Sequence, residues 1–245
     1  VLIDGSAWNT WQIDPAIRDN YPDAGPVDPE VTVLAAVGRD GKYKAILYNY
    51  ATHPDVTRPT MISADFPGHV QQVVNKQLGY EVSTFFLQGA AGDVNAFPYG
   101  ITPDNSQAPV FGQVLGEGIM RSLGGLQVIA NPSLRVESRE VAIPKRENPV
   151  FQEAEITLKW PDAVEVFRNN FELALSSATP TYQAFFTGAR IGDDFAIVTN
   201  PTELFSEIGL GIKARSPFAT TMVATLTDGA LGYAPTAEAF EQSGY

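Results

Sequence analysis

The chain has 245 residues, 44% of them hydrophobic and 18% charged, and a net charge of −12. Such a chain can bury one substantial core or two small ones and lacks the composition of a disordered protein; its acidity argues against nucleic-acid binding and offers no attraction to anionic lipid headgroups. It contains no cysteine, which excludes disulfides, thiolate nucleophiles and cysteine-based zinc or iron–sulfur sites.

Residues 1–30 are punctuated by Asp14-Pro15, Tyr21-Pro22, Gly25-Pro26 and Asp28-Pro29 and read as turns. The opening Val1-Leu2-Ile3-Asp4 has neither the basic start nor the apolar core of a signal peptide. A first residue other than Met predicts a processed or truncated chain, its leader removed or not included. Val31 to Val37 and Tyr43 to Tyr50 flank Asp40-Gly41, a hairpin signal, and the second run delivers His53 just past a strand end. A helix is predicted from Pro67 to Leu78, ended by Gly79; a strand from Val82 to Gln88 then runs into the small-residue loop Gly89-Ala-Ala-Gly-Asp93. A second helix is predicted over 109–123, a half-buried strand from Leu134 to Ile143, and an amphipathic helix from Asp162, as N-cap, to Ser177. Tyr182 to Arg190 and Phe195 to Val198 form a hairpin around Gly192-Asp-Asp194, which empties into Asn200-Pro-Thr-Glu203. A helix from Leu204 to Ala214, a strand from Thr220 to Leu226, the loop Asp228-Gly-Ala-Leu-Gly-Tyr233 and a helix opening at Ala237 complete the order. Strands, helices and hairpins in this mixture predict an α/β fold, a mixed sheet with helices packed on its faces. No repeat or low-complexity segment interrupts it, and residues 1–245 read as a single catalytic-type domain truncated at both ends.

Three loops that follow apolar strands carry polar groups, around His53, Asp93 and Glu203, and a fourth carries Tyr233. The only histidines are His53 and His69, and His69 reads as a helix-surface residue. The chain has no G-x-S-x-G elbow, no phosphate-binding glycine loop and no H-E-x-x-H motif. No apolar run reaches the roughly 18 residues of a membrane span. On these features alone the chain is an enzyme-like globular domain and no more.

Five blocks in order take the reading further: Asn49-Tyr-Ala-Thr-His-Pro54, Met61-Ile-Ser-Ala-Asp-Phe-Pro-Gly68, Phe86-Leu-Gln-Gly-Ala-Ala-Gly-Asp-Val-Asn95, Asn200-Pro-Thr-Glu-Leu-Phe205 and Gly229-Ala-Leu-Gly-Tyr-Ala-Pro-Thr-Ala-Glu-Ala-Phe240. Together they resemble the neutral/alkaline, non-lysosomal ceramidase family. The resemblance implies a ceramidase-like catalytic domain that binds Zn2+ and cleaves an amide (N-acyl) bond, in a ceramide-like or other N-acyl substrate, by metal-activated water. It implies metal ligation by His53, Glu203 and Tyr233. Catalytic roles follow for Asp93, Asn95 and Tyr233, the last as a ligand or as a donor to the oxyanion. Asp65 would hold a ligand histidine by its second ring nitrogen, or else cap the helix at Pro67, and Tyr245 lies in a Q-x-x-Y-like end used near the family's site.

The family's other ligand histidine lies in a T-H-T-H-S-G-P-like segment upstream, with no counterpart in these residues, and its immunoglobulin-like domain has none either. Asn95 stands where ceramidases carry a serine. These departures keep open a non-catalytic remnant or binding component on the same fold, and a chain completed by other fragments of the same precursor. The expected partner is a small N-acyl or lipid-like molecule, and the expected location secreted or periplasmic.

Overall fold

The β-rich runs on either side of Asp40-Gly41 pair as the sequence predicts. β1 (Thr32–Val37) and β2 (Tyr43–Tyr50) are antiparallel, with a register shift between Ala36 and Val37. Gly41 turns the hairpin at a φ of 74°, a left-handed conformation that glycine adopts without steric cost. The computed structural model describes residues 25–57, 62–96, 107–129, 131–145, 153, 164–176 and 179–241. The predicted turns before Gly25, the Asp162 cap, the end of the last helix and Tyr245 lie outside these.

β3 (Ser83–Gln88) lies parallel to β2, giving a three-stranded sheet of order β1-β2-β3. Helices α1 (Asp65–Leu78) and α2 (Gln107–Leu123) pack with this sheet around a core that includes Ile46, Tyr48, Phe66, Val70, Val74 and Ile119. Each helix starts two residues ahead of its prediction, because Pro67 and Pro109 fall in a first turn, where a missing N–H costs no helical hydrogen bond. The helices cross closely. A Cβ on Gly112 would collide with that of His69, and one on Gly116 would stand 2.8 Å from Val73 Cγ1. His69 is therefore half-buried in the α1–α2 interface, not on the helix surface that its sequence position suggests.

A second sheet pairs the strands Leu134–Pro144, Thr181–Ile191, Phe195–Asn200 and Thr220–Thr225, in that order. β5 (Thr181–Ile191) and β6 (Phe195–Asn200) form the predicted hairpin, and β8 (Thr220–Thr225) runs parallel to β6. β4 (Leu134–Pro144) is exposed along nearly all of its length, although its alternation predicts a half-buried strand. α4 (Ser206–Arg215) packs on β8 through Ile208 and Ile212 against Val223 and Val198. The architecture is thus α/β with mixed sheets, as the order of predicted elements implies.

By packing, the chain divides into two compact units, Val1–Ser138 with Phe186–Tyr245, and Arg139–Phe185. The second unit contains α3 (Val164–Ser176), whose Arg168 pairs with Glu153 at 2.6 Å. The first unit carries every described candidate site residue. Among the described residues no helix is long and apolar enough to cross a membrane.

Candidate functional site

Within the first unit the two sheets are joined by side chains. Asn49, buried on β2, donates from Nδ2 to the carbonyls of Leu87 on β3 (2.9 Å) and Val223 on β8 (3.0 Å), while Thr225 Oγ1 donates to Gly89 O at 2.8 Å. Because β2 and β3 are parallel, as are β6 and β8, these ties gather the carboxyl ends of all four strands. The loops beyond such ends are where open α/β sheets bind ligands.

His53 follows β2. The chain entering it is held by Gln88 Nε2, which donates to Thr52 O at 3.0 Å. The chain leaving it is held by buried Asp65, whose Oδ2 accepts Thr57 N at 2.6 Å and Thr57 Oγ1 at 2.7 Å and whose Oδ1 accepts Phe66 N at 2.6 Å. The Asp65 carboxylate is thus engaged with the loop after His53 and with the start of α1.

Glu203 follows β6 through an Asx turn, in which Asn200 Oδ1 accepts Thr202 N at 2.8 Å and Thr202 Oγ1 at 2.6 Å. The sequence predicts a helix from Leu204. Instead β7 (Glu203–Leu204) pairs in parallel with β9 (Tyr233–Ala234), and α4 starts at Ser206. The delay has a simple cause: the Leu204 carbonyl accepts Gly92 N at 2.8 Å, and Glu203 N is donated to Gly232 O at 2.8 Å. Glu203 and Tyr233 are register partners, so their side chains leave the same face of the ladder.

The result is a convergence of groups far apart in the chain. His53 Nε2 lies 3.6 Å from Glu203 Oε2, with the two side chains 22% and 24% exposed. Tyr233, beside Glu203, is 46% exposed. The His53–Glu203 separation is too long for a hydrogen bond. It suits two ligands of one ion, since donors at about 2.05 Å from a tetrahedral zinc lie about 3.3 Å apart. Among the described residues no third His, Cys, Asp or Glu joins the pair; Tyr233 stands opposite Glu203 in the β7–β9 ladder. An imidazole, a carboxylate and a phenol fit zinc chemically.

Asp93 and Asn95 lie on the loop after β3. Asp93 Oδ1 accepts Ser206 N at 2.7 Å, which caps the amino end of α4, where an anion is favoured. That bond ties the loop to the segment bearing Glu203. Asn95 is half-buried on the same loop and hydrogen-bonded or otherwise paired.

Composition and spacing gave no signal for one further element. Lys213 on α4 pairs with Asp28 at 2.7 Å and Glu30 at 2.9 Å, and its side chain is only 15% exposed. Burial pulls its ammonium pKa down, but the bonds to Asp28 and Glu30 outweigh that and raise it. The resulting stability is present in full below the unfolded lysine value of about 10.4 and is lost as pH rises through the raised folded value. Lys213→Met should therefore lower the unfolding free energy by about 2 kcal/mol at pH 7. Urea unfolding at pH 7 and pH 11 checks this: the gap between the two proteins should narrow at the higher pH.

No family model matches the sequence, and no curated protein matches it. Among solved structures, the neutral ceramidase from Pseudomonas aeruginosa matches with a TM-score of 0.65 and 14% identity, over 98% of this chain and 46% of that one. A ceramidase complexed with C2 matches with a TM-score of 0.63 and 13% identity, over 100% of this chain and 48% of that one. The chain spans about half the length of these structures and shares their fold.

Proposed function

We propose that this chain carries the metal centre of a zinc-dependent hydrolase that cleaves the amide bond of a ceramide-like or other N-acyl substrate. The observation that carries the reading is the approach of His53 Nε2 to Glu203 Oε2 at 3.6 Å, with Tyr233 in register beside it, on a fold shared with ceramidases. The roles of the residues are part of the proposal. His53, Glu203 and Tyr233 would hold the ion, one nitrogen and two oxygen donors of the kinds zinc takes. When bound, zinc would supply Lewis acidity and lower the pKa of a water molecule to about 7.

The chain's own groups do the remaining work. Asn95 offers an amide donor toward a substrate carbonyl oxygen, where developing negative charge is best met by fixed donors. Asp93 and Asn200 hold the backbone around Glu203, so the carboxylate does not have to be ordered when substrate binds. Tyr233, 46% exposed, would serve as a ligand or as a donor to the oxyanion. An exported enzyme, secreted or periplasmic, completes the reading.

The test is metal removal. Dialysis of the active protein against a chelator should abolish hydrolysis of an N-acyl substrate, and about one equivalent of Zn2+ per chain should restore it. Full activity in protein shown to be metal-free would reject the reading.

A further inference from the structure

A cavity of about 650 Å³ opens on the second sheet, lined by Arg135 and Glu137 on β4, Gly188 and Arg190 on β5, Val198 on β6, and Phe218 just before β8. All six belong to the first unit. Two contacts set the β4–β5 register here. Gly192 N donates to Ser133 O at 3.0 Å, and Ser138 Oγ lies 2.8 Å from Thr187 Oγ1. The five steps from Ser133 up to Ser138 thus run against the five from Gly192 down to Thr187. The strands are antiparallel, and Arg135 stands opposite Arg190 and Glu137 opposite Gly188. On the next strand Arg190 faces Ala196, and Gly188 faces Val198. Opposed residues send their side chains to the same face of a sheet, so both arginines, Glu137 and Val198 share one face. Like charges set directly opposite each other destabilise a sheet. The chain has only 16 basic residues against 28 acidic ones, yet it places these two arginines together. Arg135 is exposed and has no ion-pair partner among the described residues. Arg190 Nη2 comes no nearer than 3.7 Å to Asp193 Oδ1, beyond hydrogen-bond reach, and Arg190 Nε is buried without a partner.

We infer that this cavity is a binding site for a monocarboxylate with a flat, apolar body. The guanidinium groups carry forked donors whose spacing fits a carboxylate, and an anion between them relieves their mutual repulsion. Glu137 lines the cavity too and is hydrogen-bonded or otherwise paired. Two guanidinium groups against one carboxylate leave a surplus of one positive charge, which a single further carboxylate cancels and a phosphate dianion exceeds. The body of the ligand is set by the floor. A Cβ on Gly188 would meet nothing within 4 Å, so the missing side chain leaves room for a ring, with Val198 and Phe218 as apolar contacts. Apolar walls with a few convergent polar groups, at this volume, are the usual make-up of a small-molecule site. The site makes no use of zinc and stands apart from the hydrolase reading.

The experiment titrates 2-naphthoate and 2-naphthylmethanol, which keeps the ring and lacks the charge, into the full chain by calorimetry, with zinc and after chelation. The variants are Arg135→Gln, which removes one charge at an exposed position, and Gly188→Leu, which fills the floor at a backbone conformation open to any residue. Wild-type protein should bind the naphthoate about tenfold or more tighter than the alcohol, with or without zinc. Arg135→Gln should bring that ratio toward one, and Gly188→Leu should weaken both compounds about tenfold. No binding of naphthoate by wild-type protein, equal binding of the two compounds, or an affinity that both variants leave unchanged overturns the site. Naphthoate binding that vanishes on chelation overturns it as well, because the carboxylate is then held by the metal.

Discussion

Replacing His53 by alanine should reduce zinc content from about one ion per chain to near zero and lower kcat/KM for amide hydrolysis at least a thousandfold, a loss of about 4 kcal/mol of transition-state stabilisation. His53 supplies the only imidazole within reach of Glu203 among the described residues, and a methyl group does not replace a nitrogen donor. The control is built into the sequence. His69 is the other histidine and sits against Gly112 between two helices, so His69→Ala should change stability and leave zinc content intact. Metal analysis and steady-state kinetics on both variants separate a ligand from a packing residue. Glu203→Gln extends the test, because it keeps the shape of the side chain and removes the charge that favours a divalent cation.

Gly92→Ala should destabilise the protein by about 2–3 kcal/mol and disturb the site at the same time. A Cβ at this position would run into the carbonyl oxygen of Glu203 and stand 2.9 Å from Phe205 Cδ1 and 3.0 Å from the Glu203 carbonyl carbon. Backbone cannot rotate out of the way as a side-chain tip can. To make room, either the Gly92 N to Leu204 O hydrogen bond opens or the Glu203 segment moves away from His53. In a protein of this size the stability loss corresponds to a fall in melting temperature of about 4–12 °C. Thermal unfolding with and without zinc checks the coupling: the zinc-dependent rise in melting temperature should shrink in the variant along with the melting temperature itself.

Much of the architecture was legible because local signals and tertiary demands agreed. Gly41 and Gly192 stand where two hairpins need left-handed residues, and Gly79 where α1 ends. His53 and Glu203 could each be read as residues just past a strand end, the place where a rigid element presents a polar group. That they meet is implied by the family resemblance alone and not by composition or spacing, because it depends on β2 and β6 lying in two sheets that Asn49 stitches together through Leu87 and Val223. A buried asparagine in a strand has no periodic signature. The start of α4 departs from its local signal for a similar reason. Glu203-Leu204 has helical propensity and an acid at a helix start, but its backbone is taken by Gly92 and Gly232, and ladder bonds to distant residues override local preference. The capping of α4 by Asp93 likewise has no local signal, since Ser206 lies far along the chain. The exposure of β4 escaped its alternating pattern, since alternation gives the two faces of a strand and says nothing of what covers either one.

The central claim is tested most directly by a crystal grown with zinc and measured on both sides of the zinc absorption edge. The account predicts one anomalous peak in the first unit about 2.0–2.2 Å from His53 Nε2, a Glu203 carboxylate oxygen and the Tyr233 hydroxyl. A zinc-saturated crystal with no peak among these three side chains, or with its peak at another set of ligands, would contradict it.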